Sequence, residues 1–328
     1  MNINYRWILG GFAGVFILLY ATSVYWSFEP DMFNAKKLVD EQATKYQQTV
    51  VTGYATTTVL IHTSEVLLNK SGGFIANDVM PPGLIMDNMP SWEFGALEMI
   101  RDMALAMRKD FSRSQSQSME NVHLKVAQPQ FNIDHLSFVM PSAESEYRKA
   151  IDSLYLYRAQ LADKSKDDAQ FYARADNLTD WLKEVEQRLG SYSQRLSASV
   201  GQDRINTDMA GESTNSLSTT VPQSKQLKTS WWLLDNVFYE ARGASWALLH
   251  LLKAIEIDFN GILAKKNATV SLRQIIRELE ATQQTIWSPM VLNGSGFGLL
   301  ASHSLVMANY ISRANAAIID LRTLLANG

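Results

Sequence analysis

The sequence has no cysteine. Disulfides, thiolate metal sites and cysteine nucleophiles are therefore excluded together. It also lacks a dominant charge sign: 30 Lys and Arg stand against 33 Asp and Glu, a formal net charge of −3. A nucleic-acid interface draws on a strongly basic face, and nothing here supplies one, so no nucleic-acid partner is expected. Histidine is scarce, with five in 328 residues. None forms HExxH. His62 and Glu65 lie one turn apart but reverse the Glu-x-x-His order of di-iron bundles. His250 sits in the most apolar stretch and reads as a hydrogen-bonded core residue. Asp134-His135 has no serine in a G-x-S-x-G elbow to serve. Gly294 to Gly298, GSGFG, precedes a helical pattern, but TIWSPMVLN before it is not the strand that a dinucleotide fingerprint requires. No catalytic residue, cofactor or metal is expected.

What the chain does have is one long apolar run. From Trp7 to Phe28 there is no charged residue, His, Asn, Gln or Pro. As a helix, Trp7 and Trp26 would stand roughly 30 Å apart, the hydrocarbon thickness of a bilayer, with Trp7, Tyr25 and Trp26 at headgroup level. A cleaved signal peptide is the competing reading, with MNINYR as its n-region and Ala21-Thr22-Ser23 as its cleavage site. The run is long for an h-region, and aromatics follow the supposed cut, so an uncleaved anchor is expected. Lys36, Lys37 and Lys45 outnumber Arg6, which argues for a cytosolic domain. Large domains translocate largely regardless of charge, and the expectation is an exported one. Gly10 and Gly14 form a GxxxG pair on one face, the pattern of helix pairing in membranes.

The remainder, with 46% apolar residues in the whole chain, predicts a mainly all-α, multi-helix bundle with long loops. The organisation reads as a tail over 1–6, a transmembrane helix over 7–28, a first part of the bundle over 29–200, a flexible polar segment over 201–228 and a second part over 229–328. A long helix is expected over Asp31–Asn69, although the β-branched TVVTGYATTTV leaves a strand open there. Further helices are expected over 92–111, 141–163, 165–200, 230–264, 271–285 and 299–326, with a short strand open within 122–140. The stripe Leu178, Trp181, Leu182, Val185, Leu189, Tyr192, Leu196 is strongly amphipathic. Met307, Ile311, Ala314, Ile318, Leu321 and Leu325 form a seam of the bundle or of an oligomer.

Between the first two helices, Lys70–Pro90 is rich in Gly and Pro yet apolar. Such a loop packs on its own domain or on a partner. Phe74, Ile75, Met80, Leu84, Ile85, Met86, Met89 and Trp92 are the candidate contact residues. Glu93, Glu98 and Asp102, next to it, are the candidate acids of any enzymatic reading.

SGGFIANDVMPPGLIMDNMPSWEFGALEMIRD (Ser71–Asp102), PSAESEY (Pro141–Tyr147) and DNVFYEARG (Asp235–Gly243) resemble a bacterial domain-of-unknown-function family, number 2333, of uncharacterised single-pass inner-membrane proteins. The resemblance covers nearly the whole chain and implies an inner-membrane protein of Gram-negative bacteria, but no activity and no catalytic residues. The expected function is a membrane-anchored helical scaffold or accessory subunit of an envelope assembly, with the lipid bilayer at 7–28 and a protein partner or second copy as its contacts. A ligand-binding, sensory bundle signalling through a partner is the alternative, and an envelope lipid or cell-wall enzyme the second.

Overall fold

In the computed structural model, residues 5–114, 119–163, 165, 169–200, 202–205, 224–227, 229–288, 290–294 and 299–327 are described. Apart from Trp26 at its end, which packs against the core, α1 (Tyr5–Trp26) stands clear of the rest: its stretch Ile8–Trp26 has a mean hydropathy of 1.8 and no buried residue. By length and composition it can cross a membrane, and a signal sequence has the same properties.

The helix expected over 31–69 is two helices, α2 (Ala35–Tyr46) and α3 (Tyr54–Asn69). Asn34 caps α2 by accepting the Lys37 amide. Gln47, in the left-handed region at φ 52°, ends it, with its amide turned back to Ala43 and Thr44. Gly53, at φ 88°, then opens α3, and the Phe171 ring fills the space a Cβ would need. α4 (Asn88–Ala106) starts earlier than expected, because Pro90 falls in its first turn, where a missing N–H costs nothing. It runs on into a π turn, Met107–Phe111.

No strand forms within 122–140. Asn121 accepts the amides of His123 and Leu124, and α5 (Val122–Phe131) buries Leu124, Ala127, Gln128 and Phe131 at helical spacing. α6 (Ala143–Ala162) is capped by Ser142. α7 (Ala175–Ser197) buries the whole predicted stripe. It begins at 175 rather than 165, since Tyr172 is extended and donates its amide to the Phe111 carbonyl. The polar segment expected over 201–228 has paired ends: β1 (Gln202–Ile205) runs antiparallel to β2 (Ser224–Leu227). Residues 206–223 lie outside the described residues.

The helix expected over 230–264 breaks at Phe259 into α8 (Leu234–Asp258) and α9 (Asn260–Lys265). Asp258 faces the start of α3, accepting the amide and hydroxyl of Thr56 at 2.7 Å each, and Phe259 is buried against Phe111 and Phe171. α10 (Thr269–Thr282) and α11 (His303–Asn327) complete the bundle. The seam on α11 is buried within the chain, where this helix packs on α7 and α10. Residues before and after the polar segment share one core, with α4 packed on α8.

The bundle has two distinct ends. At the far end, the start of α3 meets the end of α8, and Phe111 after α4 meets Phe259. At the α1 end, Trp26 lies against Gly72 just after α3, within 2.7 Å of where a Cβ would stand. Here Arg242 near the start of α8 pairs with Glu29 at 2.7 Å and donates to the carbonyls of Thr282 and Gln284 at the end of α10. α6 also begins here: Asn77 donates to its Glu144 and to the Ser137 carbonyl, each at 2.9 Å. Four connections therefore gather around the exit of α1: 70–87, 132–142, the join of α7 to α8 through β1 and β2, and the stretch after α10.

Candidate functional site

The Gly/Pro loop after α3 is held by one carboxylate. Glu93, in the first turns of α4, is fully buried and accepts the amides of Ile75 (2.9 and 3.1 Å) and Ala76 (2.7 Å). Lys70, equally buried, reaches it at 2.6 Å and also donates to the Gly73 carbonyl. Burial pushes the Glu93 carboxyl up, against the pull of Lys70 and of both amides. Every neighbour aims a donor at it, so the arrangement suits the ionised form, which accepts only. Asn77 ties the same loop to 132–142.

So pinned, the loop divides its apolar residues. Phe74, Ile75, Met89 and Trp92 are buried in the chain's own core, and Met86 is partly buried against it. These five belong to intramolecular packing. Met80, Leu84 and Ile85 project into solvent, as does Val79 beside them. Around Gly10 and Gly14 nothing lies within 4 Å of where a side chain would begin, so their face of α1 is open.

The candidate acids are all engaged. Glu93 is the clamp just described. Glu98 and Asp102 both receive Arg188 from α7, at 2.7 and 2.9 Å, and Glu98 also accepts the Tyr192 hydroxyl at 2.8 Å. Burial and Glu98 push the Tyr192 phenol up, so it stays a donor. These bonds join α4 to α7, and Arg195 to Glu240 at 2.6 Å joins α7 to α8. A polar cleft of about 480 Å³ opens beside them.

Glu65, paired with His62 in the metal reading, accepts the Tyr155 hydroxyl at 2.7 Å, while His62 packs edge-on against Phe33. Among the described residues, no group of three or more His, Asp or Glu is arranged to hold a metal. His250 corrects the expectation of a hydrogen-bonded core histidine: neither ring nitrogen has a partner among the described residues. The ring instead stacks on Phe33 with centroids 3.7 Å apart. Burial holds it neutral, with its pKa lowered to about 3. His135 lies in the 132–142 loop beside Phe94, and residues 295–298 of the GSGFG turn lie outside the described residues.

Two clefts open at the α1 end. One, of about 620 Å³, lies between Phe28–Asp31 and the end of α3, with His62 and Glu65 in its wall. The other, of about 310 Å³, is more apolar and is bounded by Phe238, Arg242, Trp287, His303 and Tyr310. Phe138, Met140 and Trp287 are further exposed apolar residues at this end that sequence reasoning did not single out. Their signal was available: each sits in a short uncharged stretch next to a proline, as Met80 and Leu84 do.

The model of a family described as "Uncharacterized protein conserved in bacteria (DUF2333)" matches residues 2–328. No curated protein and no solved structure matches the chain.

Proposed function

The chain belongs to this bacterial family, and from that premise we propose that it is a membrane-anchored helical scaffold or accessory subunit of an envelope assembly. In this reading α1 anchors the protein in the inner membrane, the bundle lies on the periplasmic side, and protein contacts rather than turnover are its task. The observation that carries the reading is an unpacked apolar helix whose Gly10–Gly14 face is open to another backbone. The engagement of Glu93, Glu98 and Asp102 in internal bonds supports it, since acid–base work needs a carboxyl free to meet a substrate. One observation favours a small-molecule reading instead: the 310 Å³ cleft is apolar, with Arg242, His303 and Tyr310 converging on it, as in ligand sites.

The test is purification of the tagged full-length protein from its native membrane in mild detergent, reading mass and partners together. A stoichiometric partner, or a homo-oligomer lost on Gly10→Ile with Gly14→Ile, is the expected result. A clean monomer overturns the scaffold, and a monomer that retains a small molecule transfers the function to the cleft.

A further inference from the structure

Resting on the reading of α1 as a membrane span, we propose that the α1 end of the bundle is itself a lipid-docking surface, with loops 79–85 and 136–140 and the segment 286–288 seated in the headgroup region of the bilayer.

The tether is the first argument. Only two residues separate Trp26, against Gly72, from Glu29, bound to Arg242 at 2.7 Å. Three residue steps span at most about 11 Å. With Trp26 at headgroup level, the loops around Gly72 and Arg242 are held beside the membrane and have no linker with which to leave it.

The second argument is chemistry. Three stretches at this end carry no charged residue: 79–86 (VMPPGLIM), 136–143 (LSFVMPSA) and, after α10, the described residues 285–288 (TIWS) and 290–294 (MVLNG). Several of their apolar side chains point outward: Met80 is 72% exposed, Ile85 70%, Met140 91% and Trp287 94%, while Met86, Ile286 and Val291 pack against the core. The strands β1 and β2, which join α7 to α8 at the same end, are by contrast polar and carry Asp203, Arg204 and Lys225. Tryptophan, with its apolar body and N–H tip, is a residue of the membrane interface. Outside α1, the exposed tryptophans among the described residues are Trp287 and Trp232, the latter in the turn leading into α8 at this same end. Exposed tryptophan and methionine gathered beside a membrane helix suit the headgroup region of a bilayer.

The third argument is rigidity. Glu93 clamps the first loop to α4, and Asn77 ties it to the second. The exposed tips are thus presented by ordered backbone rather than collapsed onto the core, as loops able to fold back would be.

The absence of cysteine makes the test direct. Full-length protein with single Met80→Cys, Met140→Cys or Trp287→Cys substitutions is labelled with an environment-sensitive fluorophore. It is reconstituted in phosphatidylethanolamine–phosphatidylglycerol vesicles and exposed to nitroxide-labelled lipid or aqueous iodide. Phe16→Cys reports α1, and Val270→Cys, at the start of α10, reports the far end. The expected result is a blue shift at the three loop sites, with quenching by shallow nitroxide roughly threefold or more above that at Val270. Loop labels quenched only by iodide, while Phe16 is quenched by lipid, would overturn the docking and leave the anchor standing. Loop labels shielded from both quenchers would put protein on this face and overturn it as well. A Phe16 label reached only by iodide would refute the spanning helix on which the proposal rests.

Discussion

Where α4 crosses α8, the backbones touch. A Cβ on Gly95 would overlap the Glu240 carbonyl oxygen outright and lie 2.8 Å from its carbon and 2.9 Å from the Ala244 nitrogen. A Cβ on Gly243 would meet Trp92 in the same way, with its carbonyl carbon 2.8 Å away. The obstructing atoms are helix backbone and cannot swing aside, so alanine at either position must push the two helices apart. In an exposed helix, Gly→Ala gains about 1 kcal/mol. Here the gain is opposed by overpacking, typically about 1–3 kcal/mol, and by loosened contacts around buried Trp92 and Trp246, whose rings lie 5.2 Å apart. With about 1 kcal/mol lost at the loosened contacts, the net expectation for Gly95→Ala is a loss of about 1–3 kcal/mol, or roughly 2–4 °C in a chain this large. Gly190→Ala, on α7, is the matched control: its Cβ would meet only the Asn315 amide nitrogen at 3.7 Å, ordinary contact, so a gain of up to about 1 kcal/mol is expected. Thermal unfolding of full-length protein in detergent, followed by circular dichroism, measures both. The double variant Gly95→Ala with Gly243→Ala should lose less than the sum, because one separation relieves both clashes. A neutral or stabilising Gly95→Ala would refute the reasoning.

Two further outcomes follow from the buried polar groups. His250 has an ordinary pKa of 6.5 when unfolded, lowered to about 3 in the fold by burial, with Lys253 and His62 acting in the same direction. Below pH 6.5 the unfolded chain therefore binds a proton the native state refuses, and stability falls as pH drops toward 3, by about 1.4 kcal/mol per unit. Urea midpoints of the wild type and of His250→Phe, measured between pH 7 and 4.5, should diverge in slope by about 2.7 kcal/mol across that range, and parallel slopes would count against a neutral buried imidazole. Lys70→Met leaves the Glu93 carboxylate buried beside an apolar chain and should cost about 3–5 kcal/mol. Adding Glu93→Gln should restore part of it, and the absence of any recovery would mean that the pair is not what holds the loop.

The elements that were legible in the sequence are those whose local signals agree with their packing. The α7 stripe, the Ser142 cap and the α11 seam each state a helix and its buried face at once. The errors fall where a distant contact decides the backbone. A helix over 31–69 looks continuous because the residues that end α2 and open α3 are ordinary in sequence, and Gly53 gains its meaning only from Phe171 across the chain. Likewise α8 ends at Asp258 because that carboxylate is drawn to Thr56, 202 positions away. At the Gly/Pro loop, composition predicted apolar contact correctly but could not divide Phe74 and Ile75, inside, from Met80 and Ile85, outside. That division is made by Glu93, whose partners besides Lys70 are backbone amides that leave no trace in side-chain pattern.

Glu93 also bears on what the buried charges are for. A buried ion pair is poor evidence of stability, since hydrophobic residues of similar volume often hold a fold as well or better. What a carboxylate supplies and a leucine cannot is a fixed point for N–H groups. In this bundle such points recur where the chain would otherwise be free: Glu93 at the first loop and Asp258 at the start of α3, with Arg242 as the converse, a donor to the carbonyls of Thr282, Gln283 and Gln284 at the end of α10. Two of the three stand at the α1 end, at the roots of stretches that are uncharged and outward-facing. A carboxyl kept for catalysis would be left with room for a substrate, whereas these are surrounded by the chain's own donors. The polar interior therefore holds apolar loops in place, the arrangement that the proposed docking of the α1 end requires.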